Sequence, residues 1–352
     1  MQKRIVFLDY MRAAACLMVI MVHSCEFFFI NGSEIGIRSM SDGLWVSIID
    51  SAFRCSVPLF VMISAWLLVP VKGSTAMFFK RRLSRVVIPF AVWSVLYALL
   101  PMLWGGRDSA DAIDALMHLA YNFNADSGHL WFVYMLIGLY LFMPVISPWI
   151  REAPRRTVEA YLCVWFISTF FPYLRDCTGD IYGECYWNEY NMLWYFSGFL
   201  GYVVLACYMR RWLDCSRRRS LTAGAILFII GYAVTAWIWY HRITSATTLQ
   251  ELELSWRFCT PNVVMMSFGA FVIIKALVEH RENTPAVISA ISRQSYGIYL
   301  MHIFVLGAVY MLTEGLMPTP LTIAMVGLTT FIICCGLAKI ISILPLSRYV
   351  IG

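Results

Sequence analysis

The first apolar segment of the chain, Met1–Ile30, contains an arginine and a histidine that a lipid-facing helix would exclude. Arg12 and His23 are eleven residues apart, and at ~100° per residue that step leaves them only ~20° apart on one helical face. At ~1.5 Å per residue they differ by ~16 Å in depth, about half the hydrocarbon core of a bilayer. Asp9 and Glu26 fall on the same side, each three residues outside the pair. Such a stripe is expensive in lipid and must face the protein interior or a water-filled cavity. The chemistry it offers is proton transfer. A neutral imidazole accepts a proton from a hydroxyl near pH 7, and a carboxylate one turn away orients the ring and stabilises its cation. Glu26 suits that role, or the binding of a polar substrate. A satisfied interior histidine is the alternative for His23. Arg12 suits a carbonyl, a phosphate, or an ion pair with Asp9.

A second group of reactive types is Lys80-Arg81-Arg82-Leu83-Ser84-Arg85. Arg81 and Arg82 lie four and three residues before Arg85, so the three share a helical face. Guanidinium forks bind phosphate bidentately, which makes Arg81, Arg82 and Arg85 candidates for a nucleotide-bearing cosubstrate. A stop-transfer anchor touching anionic lipid explains the same four cations. There is no GxxxxGK[ST] or GxGxxG, which leaves an ATP-driven pump or a dinucleotide fold without support. His129 and Trp131 open a later apolar run as either an interfacial anchor or a substrate site. Ser295, Tyr299 and His302 recur at i, i+4, i+7 as one polar face, suited to interhelical hydrogen bonds or to lining an acyl path. Asp50 and Arg54, four apart, are expected to pair with each other and to border the Arg12 stripe. Tyr182, Tyr186 and Trp187 are either sugar-stacking groups or ordinary interfacial aromatics. No cysteine or histidine pattern has metal spacing and no GxSxG is present, so neither a metal centre nor a serine hydrolase is indicated.

These residues are carried by membrane spans. The 352 residues are 60% hydrophobic and 14% charged, far from the composition of a soluble domain, and mean hydropathy is +0.70. Apolar runs fall near 5–30, 44–69, 86–105, 128–149, 158–174, 190–209, 220–240, 259–279, 294–312 and 320–344, about ten spans in an all-α helix bundle. Alternate connecting segments hold 18 Lys and Arg against 5 in the other set, which puts both termini in the cytoplasm and agrees with an even number of spans. The net charge of +6 is concentrated in those short segments, so it points to a membrane and away from nucleic acid. The first run contains Asp9 and Arg12 and lacks a small-residue cleavage site, unlike a cleavable signal peptide. Of 11 cysteines most lie within spans. Cys177 and Cys185 instead fall in an outer loop, where a disulfide is permitted; two free thiols are the alternative. No repeat or linker divides the chain, and 1–352 reads as a single membrane domain.

The motifs resemble those of the integral-membrane acyltransferase-3 family. Arg12 and His23 have its first-helix spacing of arginine, ten residues, histidine. Ser56-Val57-Pro58-Leu59-Phe60-Val61-Met62-Ile63-Ser64 is similar to its second-helix motif, although Ala65 follows Ser64 where the family has glycine. Arg81-Arg82-Leu83-Ser84-Arg85 with Pro89 matches its arginine pattern. His129-Leu130-Trp131-Phe132 and Ser295-Tyr296-Gly297-Ile298-Tyr299-Leu300-Met301-His302 resemble its fourth-span and late-helix motifs. The likeness spans roughly 300 residues in the right order, and it is greatest to the short bacterial O-acetyltransferases of surface glycans. Glu26 is not part of the family pattern and rests on helical geometry alone.

The resemblance implies acyl transfer, most commonly acetyl from acetyl-CoA as cosubstrate with no permanently bound cofactor. The acceptor would be a hydroxyl of a cell-surface polysaccharide, its lipid-linked precursor or a glycolipid. His23, Arg12 and Glu26 are then the catalytic candidates, with His23 a general base or an acyl relay. Arg81, Arg82 and Arg85 are the donor-binding candidates, and His129, Trp131, Tyr299 and His302 the acceptor-side ones. The implied location is a bacterial inner membrane. A secondary transporter or flippase for a polar or glycolipid substrate is the rival reading, since it too keeps charges along a pathway.

Overall fold

A computed structural model describes residues 4–119, 125–179 and 198–352. It is an all-α polytopic bundle. Among the described residues, nine helical segments are long and apolar enough to cross a membrane. Only the latter part of the sixth expected span, 190–209, is described, as a helix over Leu200–Trp212. Apolar side chains such as Val145, Ile229, Ile332 and Ile343 stand on the outside of the bundle, as they must where the solvent is lipid.

The centre of the bundle is α1, Val6–Glu26, which ends four residues before the expected limit. There Ile30–Asn31 and Glu34–Ile35 form a two-stranded hairpin, and the Gly36 amide donates to the Phe29 carbonyl at 2.8 Å. The expected second span is two helices, α2 (Met40–Phe53) and α3 (Ser56–Leu68). Pro58 explains the break. It has no N–H to offer the Arg54 carbonyl four residues back, and its ring crowds that position. The bend leaves Arg54 and Ser56 facing inward. Next come α4 (Thr75–Leu99), capped by the Ser74 hydroxyl, and a short amphipathic α5 (Ser109–His118) that hydropathy did not signal. A 3-10 turn, Ala125–Leu130, leads into α6 (Trp131–Glu152), followed by α7 (Arg155–Ser168), α8 (Phe171–Thr178) and α9 (Leu200–Trp212). The chain continues through α10 (Arg217–Arg242), a short α11 (Leu249–Leu252), α12 (Pro261–Val278), α13 (Ala286–Thr313) and α14 (Thr319–Ile341).

Helix α1 packs against α2, α3, α12, α13 and α14, so its charged stripe is covered on nearly every side by protein. Helices α10 and α12 touch through glycine: a Cβ on Gly269 would stand 2.5 Å from the Gly224 carbonyl oxygen. Small residues permit such backbone approach where lipid gives no hydrophobic drive to association. Two cations in the last turn of α9 serve the fold rather than a ligand. Arg210 donates to the Trp66 and Val69 carbonyls at the end of α3, and Arg211 donates to those of Ile150 (2.7 Å) and Ala153 (3.3 Å) at the end of α6. These are carbonyls the helices cannot satisfy themselves.

Both ends of the described chain meet the first half of α13. Arg4 donates to the Ser289 hydroxyl (2.5 Å) and carbonyl (3.0 Å), and Ile351 lies against Gly297. The two ends therefore lie at the same end of the bundle.

Candidate functional site

Helix α1 forms one wall of a cavity of about 630 Å³ that reaches from Arg12 to Glu26. Its other walls come from the α2–α3 bend, α4, the start of α6, the loop before α12 and the first half of α13. Helical spacing made the polar face of α1, Arg85 and the Ser295–Tyr299 face readable one by one; that they meet around one cavity was not.

At one end the cavity is lined by Arg12, Arg85 and Arg293. Asp9, the expected partner of Arg12, is instead held by Arg4 (2.5 and 3.0 Å), Ser292 (2.6 Å) and Thr284 (3.0 Å). Arg12 reaches it only through Ser292, whose hydroxyl accepts from Arg12 Nη1 at 3.3 Å. Among the described residues Arg12, Arg85 and Arg293 form no ion pair, which leaves guanidinium donors facing the cavity. The basic cluster divides. Arg85 lines the cavity, Arg82 stands close to the cavity residue Tyr140, and Arg81 is exposed outside it. Ser64, the last serine of the second-helix motif, lines the cavity with Tyr140.

At the other end His23 Nδ1 is 2.8 Å from Glu26 Oε1. With that nitrogen donating to the carboxylate, Nε2 carries the lone pair. Two further imidazoles converge on it. The His302 ring lies 5.0 Å from that of His23, the His129 ring 6.3 Å, and the two are 5.1 Å from each other. His302 is 0% exposed, with Nδ1 2.5 Å from the Tyr299 carbonyl oxygen, and it stands behind His23 instead of lining the cavity. His129 lines the cavity at 7% exposure, so it is an interior residue and not the interfacial anchor its sequence position suggested. Nε2 of each of these two histidines is buried without a hydrogen-bond partner. Among the described residues no group of three His, Cys, Asp or Glu is arranged to hold a metal ion. Tyr299 donates to the His129 carbonyl at 2.5 Å and so ties α13 to the turn before α6. Trp131 stacks on Phe258 with ring centres 5.5 Å apart and an interplanar angle of 24°.

Asp50 and Arg54 pair as expected, through two hydrogen bonds, one of them 2.9 Å. Arg54 also lies over the Trp256 ring at 4.0 Å. The pair borders the stripe of α1 at its His23–Glu26 end. Beside it the cavity gains Glu253, from the loop between α11 and α12. Burial pushes its carboxyl above the ordinary value, and the Arg54 charge opposes that rise. Glu253, Arg293, Tyr140 and Phe258 had no sequence signal: each is a single residue whose neighbours are supplied by other helices. Cys177 is exposed, whereas Cys185, Tyr182, Tyr186 and Trp187 lie outside the described residues.

A partly open cavity with arginines free of carboxylate partners at one end, Arg85 and Arg293 exposed at its mouth, and a carboxylate-oriented histidine at the other is an arrangement for group transfer within a membrane. The acyltransferase domain of the acyltransferase-3 family matches residues 5–339, and the chain belongs to that family. It is a multi-pass membrane acyltransferase. No curated protein matches it, and no solved structure does.

Proposed function

We propose that the protein moves an acetyl group from acetyl-CoA to a hydroxyl of a cell-surface polysaccharide, its lipid-linked precursor or a glycolipid, in a bacterial inner membrane. The observation that carries this reading is the single cavity joining Arg12, Arg85 and Arg293 to the His23–Glu26 pair. The arginine end lies with the chain termini, which loop charge assigns to the cytoplasm, where acyl-CoA is found. Arg85 and Arg12, with Arg82 nearby and Arg81 further out, supply charge-assisted hydrogen bonds to the CoA phosphates. The pantetheine arm then runs along the cavity beside α1.

His23 is the base. Its Nδ1–H points to Glu26, so Nε2 takes the proton as the acceptor oxygen bonds to the thioester carbon. Glu26 stabilises the imidazolium that results. Collapse of the tetrahedral intermediate breaks the C–S bond, and the departing thiolate takes the proton back from His23, giving the ester and free CoA. The ~16 Å depth between Arg12 and His23 favours a second route in which Nε2 itself accepts the acetyl group and passes it on.

The test uses the purified full chain with radiolabelled acetyl-CoA. Expected are a thermal shift with acetyl-CoA and labelled acceptor glycan, both dependent on the chain, with labelling lost in His23→Ala while the shift persists. Absence of the shift, or full labelling by His23→Ala, overturns the assignment. Acid quenching without acceptor separates the routes, since only the relay leaves label on the protein.

A further inference from the structure

Two carboxylates without a full set of donors face the cavity at the His23 end. Glu26 and Glu253 contribute them, and His129 contributes a buried ring nitrogen, Nε2, that has no hydrogen-bond partner among the described residues. The Glu253 carboxylate makes no hydrogen bond and no ion pair among the described residues, although it lies within the fields of Arg54, Glu26, Arg257 and His23. Among the described residues lining this end, the one cation is Arg54, whose charge is paired with Asp50 through Nε and Nη2 beneath the Trp256 ring. A pocket of acceptors is completed by a ligand that brings donors. Hydroxyl and ammonium groups do so; carboxylates and phosphates bring more acceptors and a repelled charge. The stacked Trp131–Phe258 pair beside these groups offers an apolar face, the complement of the C–H face of a pyranose ring.

We infer that this end is an acceptor subsite selecting a neutral or amino sugar and excluding acidic ones, with Glu253 as a specificity-determining residue. The inference rests on the acetyl-transfer reading. It adds the charge class of the sugar unit that enters beside His23, and it assigns to Glu253 a role in choosing that unit and none in the proton transfer.

Three β-1,4-linked trimers matched in length test it: glucose, glucosamine and glucuronate, each supplied with labelled acetyl-CoA to the purified chain. The glucose and glucosamine trimers are expected to be acetylated at least ~10-fold faster than the glucuronate trimer, the size that one like-charge clash produces. Raising salt should shrink that ratio, because the exclusion is partly electrostatic. Glu253→Gln should shrink it as well, by faster use of glucuronate. Equal or preferred use of glucuronate by the parent chain overturns the inference, as does an unchanged ratio in Glu253→Gln. The salt series needs no variant and so stands if Glu253→Gln fails to fold. Failure of the underlying reading looks different: no thermal shift with acetyl-CoA and no label on any trimer.

Discussion

The two ends of the cavity solve opposite electrostatic problems with similar residues. At one end Arg12, Arg85 and Arg293 face the space without carboxylate partners, because Asp9 is taken by Arg4, Ser292 and Thr284. At the other end the arginine has a carboxylate of its own: Arg54 is paired with Asp50, while Glu26 and Glu253 face the space. An arginine within a membrane protein is thus not by itself a ligand site. What decides is whether its charge already has a carboxylate beside it, as that of Arg54 does and that of Arg12 does not. Arg210 and Arg211 make the same point from the last turn of α9, where helix-end carbonyls accept from them.

The contrast can be broken most severely at His23. His23→Ala is expected to lower acetyl transfer by ~10²–10⁴-fold, the usual contribution of a general base, with acetyl-CoA binding retained. Loss of binding in the same proportion would place His23 at the donor end instead. Next in size is the locked pair. Asp50→Ala leaves the Arg54 charge buried and alone, and is expected to cost about 3–5 kcal/mol of stability, seen as a large fall in unfolding temperature. A parent-like unfolding temperature would mean that Arg54 finds another anion, Glu26 or Glu253.

At the open end the effects should be graded. Arg85→Ala or Arg12→Ala is expected to weaken acetyl-CoA about tenfold or more, in line with ~1.5–3 kcal/mol for a hydrogen bond to a charged group. Arg81→Ala, at an exposed position outside the cavity, should weaken it least. Equal losses at Arg81 and Arg85 in a binding isotherm would show that the donor lies along the helix surface and not in the cavity.

The smallest effect concerns pH. Burial raises the Glu253 carboxyl above its ordinary value of 4.5, so from that pH upward the folded chain holds more proton there than the unfolded chain does. Stability from this group therefore falls as pH rises through that window. Glu253→Gln removes the loss: its unfolding temperature should exceed the parent's slightly at pH 8 and match it near pH 4. A reversed order at pH 8 would show that Glu253 is held as an anion by Arg54.

The sequence by itself determined the membrane class, the positions of most spans and the polar stripe of α1. These rest on local regularities, apolar run length and a 100° step per residue, that operate whatever the neighbours are. It also brought out the Asp50–Arg54 pair, since four residues on one helix are neighbours in any fold. Only the tertiary structure decided which groups meet. His129, on the turn before α6, and His302, on α13, reach His23 because three separate segments pack together there. Arg85 was separated from Arg81 by where α4 meets the cavity wall, a property of neighbouring helices that no periodicity in α4 contains. Asp9 and Arg12, neighbours on the helix, were uncoupled by Arg4 and Ser292 because a carboxylate bonds whichever donors packing brings nearest. Glu253 and Phe258 belong to a short irregular loop, and a loop residue acquires its chemistry from the surfaces on which the folded chain lays it.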